Sequence, residues 1–138
     1  KLQTKVNSYV VKTANKNNTI IFYNQANKSK ILEFKKKKIQ LIKSKVNKQG
    51  KFDVKSILRK LYRYNCRNLL IEGGNNLTNY LLKNRIFNKF YLYKSPKNLS
   101  KETEYLKFDS LDVLKKNYRN RFNLNLFLGK DKITLYKN

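Results

Sequence analysis

The sequence predicts an α/β fold, with a mostly parallel sheet, covering helices and an antiparallel pair at one edge. Three observations predict it. Short runs rich in β-branched and aromatic residues alternate along the chain with stretches of helical periodicity. One run, Asn68-Leu69-Leu70-Ile71, is apolar without alternation, as in a strand covered on both faces. The 138 residues are 40% hydrophobic and 13% aromatic, enough for one packed core, so a single domain over 1–138 is expected.

In chain order, Thr19–Tyr23 reads as a buried strand and Asn24–Asn27 as a polar break. Ile31, Leu32 and Phe34 follow at helical spacing and lead into the run Lys35–Lys38, expected to be a solvated helix end. Ile39–Ile42 is a second strand, and Lys43–Lys51 is polar with a turn at Gly50. Asp53 is a good N-cap for Val54, Ile57, Leu58 and Leu61, spaced i, i+3, i+4, i+7, which predicts an amphipathic helix to about Tyr64. After Asn68–Ile71 comes Glu72-Gly73-Gly74. Asn75 or Asn76 then caps a helix carrying Leu77, Tyr80 and Leu81. Phe90–Tyr93 is a strand closed by Pro96, and its tyrosines are expected to pack in the core. Lys97–Phe108 has no clear pattern. Asp109–Tyr118 reads as a helix with Leu111 and Leu114 inward. Phe122–Leu128 and Ile133–Tyr136 read as strands joined by a turn at Gly129–Asp131.

Composition excludes several chemistries. With no His and one Cys (Cys66), the chain holds no His/Cys zinc site, no Ser-His-Asp triad and no Cys-His pair, so no metal and no nucleophilic residue are expected. Cys66 is read as a packed thiol, and the lack of a disulfide partner fits a reducing, cytoplasmic setting. No stretch approaches the ~18 apolar residues of a membrane span, and Lys1–Tyr9 lacks an apolar signal core. No membrane partner is expected. The net charge of +25 invites a nucleic-acid reading, but its make-up points elsewhere. There are 27 lysines, 20 asparagines and two alanines, the signature of AT-rich codons, and only six arginines, the better base and phosphate readers. Affinity for polyanions at low salt is expected, and a specific nucleic-acid partner is not.

One segment carries chemistry. Gly73 and Gly74, two of four glycines, stand where an apolar strand turns into a helix. In open α/β sheets ligands bind beyond the carboxyl ends of the strands. Paired glycines permit positive φ and close backbone approach, and the next helix directs unpaired N–H groups to the same spot. Asn75, Asn76 and Thr78 add side-chain donors, so the corner suits a phosphate or pyrophosphate. Glu72 would repel a phosphate and is assigned instead to a second ligand, accepting hydrogen bonds from sugar hydroxyls or ring N–H groups.

The run from Leu69 through Glu72-Gly73-Gly74-Asn75-Asn76-Leu77, then Tyr80-Leu81-Leu82, then Ile86–Tyr93 and Pro96, resembles the reductase domain of the riboflavin-biosynthesis bifunctional deaminase–reductase. That resemblance implies a dihydrofolate-reductase-like, three-layer α/β/α domain, of which this chain is the C-terminal part. It extends more loosely to Thr19–Tyr23, to the helix before Cys66 and to the turn at Gly129. The chain has no Met and begins at Lys1, so the upstream part of the domain is expected to be missing. The implied activity is NADPH-dependent reduction of 5-amino-6-(5-phosphoribosylamino)uracil, with hydride delivered to ribose C1. By carry-over Glu72 contacts this pyrimidine ribose-phosphate, and Gly73, Gly74, Asn75, Asn76, Leu77, Thr78, Asn79 and Tyr80 form the cofactor site. Lys28 with Ser29, or Lys43 with Ser44, could hold the 2′-phosphate. The family also allows a homodimer and a zinc deaminase domain upstream. Asn88 and Lys89 depart from the family's acidic pair, and Lys97-Asn98-Leu99 replaces a Gly-containing step. The rival readings are a basic nucleic-acid-binding module and an inactive fragment of the reductase fold.

Overall fold

The computed structural model describes residues 1–14, 18–97, 110–125 and 129–138. The patternless stretch after Lys97, the expected helix start at Asp109 and the far end of the Phe122–Leu128 strand lie outside these residues. The chain forms two compact units, Lys1–Leu69 and Leu70–Asn138.

The first unit contains α1 (Tyr9–Lys12), β1 (Ile20–Tyr23), α2 (Lys28–Lys36), β2 (Gln40–Lys43) and α3 (Val54–Arg63). β1 and β2 pair in parallel, from Ile20 opposite Gln40 to Tyr23 opposite Lys43, and α2 is the crossover between them. The core is built from Leu2, Val11, Phe34 and Ile39, with Ile21 and Leu41 packed against it. Phe34 is the residue of α2 that reaches this core, and Leu32 on the same helix stays exposed. Asp53 caps α3 as expected, its carboxylate accepting from the Lys55 amide at 3.0 Å.

The second unit contains α4 (Asn75–Lys83), β3 (Lys89–Lys94), α5 (Ser110–Asn117), β4 (Arg121–Leu124) and β5 (Lys132–Lys137). The sheet order is β3-β5-β4, antiparallel throughout. On one sheet face Phe90, Leu92 and Tyr136 meet Leu82, Leu114 and Tyr118 from the helical side, and on the other Ile133 and Leu135 are buried. Phe87 lies against the Tyr118 ring, with centroids 5.1 Å apart. The Tyr118 hydroxyl donates to the Leu82 carbonyl and so ties the end of α5 to α4.

The α/β class therefore stands, with its parallel pairing in the first unit and its antiparallel pairings in the second. Three expectations are corrected. The run Asn68–Ile71 is not a sheet strand, and Leu70 is 80% exposed. A central strand draws its stability from ladder partners on both sides, and among the described residues none pairs with this run. Tyr91 and Tyr93 do not enter the core. The pleat turns them to the face opposite Phe90 and Leu92, beside Leu135 and Ile133, and Tyr93 is 61% exposed. Of the two leucines expected inward on α5, Leu114 is fully buried and Leu111 is exposed, because only Leu114 faces Leu82 and Tyr118.

Candidate functional site

The glycine corner is present at the surface, and a helix follows it. Glu72, Gly73 and Gly74 are exposed, and α4 begins at Asn75. The two glycines do different things. Neither adopts the positive φ that glycine permits; the glycines that do are Gly50 and Gly129. Gly73 is required by packing. A Cβ there would stand 2.9 Å from Leu77 Cδ2 and 3.1 Å from Leu77 Cβ, because the leucine of the first helical turn folds back over it. Gly74 has φ −68° and ψ 173°, and a Cβ there would meet nothing within 4 Å. The space above Gly74 is therefore open to a ligand.

Gly74, not Asn75 or Asn76, is the N-cap. Both asparagines are already helical, while the extended Gly74 offers its carbonyl to the amides of Leu77 and Thr78, each at 3.1 Å. Gly74 has no side chain with which to cap this helix start. Amides in the first turn of a helix lack partners within the helix, and they carry the positive end of its dipole. The exposed Asn76 lies in that turn. Thr78 is half-buried and its hydroxyl donates to the Gly73 carbonyl at 3.4 Å, so it braces the corner from inside. Asn75 and Leu77 are half-buried as well. Asn79 Oδ1 is buried with no partner among the described residues. Tyr80, one turn on, is partly exposed, and its carbonyl is taken by Asn84. The corner thus presents Glu72, Gly73, Gly74, Asn76 and Tyr80 as its exposed residues. It places Leu77 as a packing residue.

Two candidates for a 2′-phosphate contact lie in the first unit. Lys28 and Ser29 are exposed at the start of α2. Lys43 is exposed, whereas Ser44 is buried, with its hydroxyl accepting from Lys60 Nζ at 2.9 Å. Lys60 was not singled out from the sequence. It is one of two lysines on α3, and no spacing distinguishes it.

No helix among the described residues is long and apolar enough to cross a membrane. No curated protein matches the chain. Residues 1–125 match the RibD C-terminal domain, an oxidoreductase family of riboflavin biosynthesis with a dihydrofolate-reductase-like fold. That match covers the glycine corner and most of both units, and by it the chain belongs to the RibD C-terminal domain family.

Proposed function

We propose that this chain forms the cofactor-binding part of an NADPH-dependent reductase acting on 5-amino-6-(5-phosphoribosylamino)uracil. The observation that carries this reading is the open backbone at Gly74, set at the N-cap of α4 within the family match. A diphosphate needs close approach to main-chain amides and a positive dipole end, and this corner offers both. The residues present fit the group: Gly74 leaves the space and Asn76 lies in the first turn.

NADPH supplies the hydride. When bound, the cofactor would deliver that hydride to ribose C1, and the ring oxygen released there would take its proton from solvent. The products are NADP⁺ and the ribitylamino compound. The chain's own contribution is positioning. Glu72 precedes the corner and is exposed, so its carboxylate accepts from substrate hydroxyl or ring N–H groups while the main chain beyond Gly73 receives the diphosphate.

The experiment pairs NADPH binding with NADPH oxidation in the presence of the pyrimidine. Glu72→Gln is expected to lower turnover about tenfold or more, the scale of one hydrogen bond to a charged group. NADPH affinity should be unchanged. Loss of cofactor binding with substrate affinity intact would reverse the role given to Glu72.

A further inference from the structure

We propose that one face of the β3-β5-β4 sheet, the face turned away from α4 and α5, binds single-stranded nucleic acid. Bases stack on Tyr91, Tyr93 and Phe122, and Lys89 and Lys137 hold phosphates. α4, which starts at the glycine corner, packs against the other face, so the proposal does not rest on the cofactor reading.

The antiparallel register fixes which side chains share this face, because directly opposed residues point the same way. Tyr91 and Phe122 flank Leu135, and Tyr93 and Leu124 flank Ile133. The central Ile133 and Leu135 are buried. The rings on the outer strands are not: Tyr91 is 41%, Phe122 47% and Tyr93 61% exposed. A scattered exposed ring is ordinary, whereas three around one aliphatic strip make a patch. Tyr91 and Tyr93 stand two residues apart on β3, about 7 Å along the strand.

Charge selects the occupant. The three strands carry Lys89, Lys94, Arg121, Lys132 and Lys137 and no carboxylate. Lys89 stands directly opposite Lys137, on the face that carries the rings. Like charges opposed across two strands destabilise a sheet, and no acidic residue in these strands offsets them. A bound phosphate would. Lys137 Nζ lies 5.1 Å from the centre of the Phe122 ring, so cation and stacking surface adjoin. At the other end β3 and β5 meet a cavity of about 450 Å³ lined by Ser95, Pro96, Lys97, Lys130 and Asp131. Cations thus stand at both ends of β3, whose six residues span about 20 Å. One phosphate cannot reach both ends; a chain of phosphates can. A second copy of this chain would set the same lysines against each other, with +25 on each side. The scarcity of arginine counts against reading base edges. Stacking needs none, because every base has a π-face.

The test titrates the unmodified chain with fluorescein-labelled oligodeoxyuridylate of about 12 nucleotides, in about 0.15 M NaCl to screen the general positive field. Tyr93→Leu keeps an apolar side chain and removes the ring, and it should weaken binding about fivefold or more, the scale of one lost base stack. Phe122→Leu gives a second reading on the other outer strand. Tyr9→Leu removes a ring that is 82% exposed on α1 and should leave affinity within about twofold. Lys89→Gln should weaken binding and flatten its salt dependence. A duplex of the same length should bind more weakly, since its bases already stack on one another. Attraction to charge alone would favour the duplex. Either sugar supports the site: oligouridylate binding more tightly than oligodeoxyuridylate would make RNA the ligand, and the reverse order DNA. Duplex binding as tight as single-strand binding, or equal weakening by Tyr9→Leu and Tyr93→Leu, would overturn it. Self-association abolished by Tyr93→Leu would overturn it too, by making this face an interface between copies.

Discussion

A methyl group added at Gly73 would press on Leu77, whereas one added at Gly74 would point into open space. Gly73→Ala should therefore destabilise the second unit by about 1–2 kcal/mol through overpacking, read as a lower denaturant midpoint. Gly74→Ala has an ordinary φ of −68° and should cost only a few tenths of a kcal/mol, the usual gap between Gly and Ala at an N-cap being about 1 kcal/mol at most. It should nonetheless weaken NADPH binding, because the added carbon stands where the diphosphate must approach. A Gly74→Ala chain with undiminished NADPH affinity would remove the corner from the cofactor site. Tyr118 gives a second prediction at this scale. Burial pushes its hydroxyl above the ordinary value near 10, and the Arg85 guanidinium, 5.9 Å from its ring, opposes that shift. The folded state thus holds this proton more tightly than the unfolded chain. Its stabilisation is complete below the unfolded value and is lost as pH rises through the folded one. Tyr118→Phe should flatten the fall in stability above pH ~10. It should also lower stability at neutral pH, since the hydrogen bond from the Tyr118 hydroxyl to the Leu82 carbonyl is lost.

Three helices end in the same way, and the residue each uses there is unusual. After α2, α3 and α4 the chain passes through left-handed backbone at Lys38, Asn65 and Arg85, with φ of 60°, 62° and 53°. In each case the following amide reaches back to the third-last helical carbonyl: Ile39 to Phe34, Cys66 to Leu61 and Ile86 to Leu81. Glycine is the common choice for that position, and lysine and arginine adopt it at a cost of roughly 1–2 kcal/mol. Lys38→Gly should raise stability by about 1 kcal/mol, measured by denaturation, because the conformation is kept and the strain removed. An unchanged or lower midpoint would mean that the lysine side chain compensates. The same caps show what was legible. The apolar spacing of Val54, Ile57, Leu58 and Leu61 and the cap at Asp53 marked α3 closely, because periodicity and capping are local. Its end, expected at about Tyr64, falls there as well, with Tyr64 as the C-cap before left-handed Asn65. Asn68–Ile71 has the composition of a central strand, yet a strand is decided by its neighbours, and no local pattern states whether they are in place. The Gly73-Gly74 corner was found for its openness, whereas the reason for glycine at 73, the returning Leu77 side chain, belongs to packing.

Composition acts on the whole molecule at once. The chain carries 27 lysines and a net charge of +25, with four glycines in 138 residues. If codon bias is the cause, the lysines occupy solvated positions because those positions tolerate them. Like charges in such number repel one another in the compact state more than in the expanded one. Salt shortens the reach of that repulsion, from a Debye length of about 30 Å at 0.01 M to about 8 Å at 0.15 M. The midpoint of thermal unfolding should therefore rise across that range of NaCl. A chain stabilised chiefly by exposed ion pairs would show the opposite slope, because screening weakens attraction as well as repulsion.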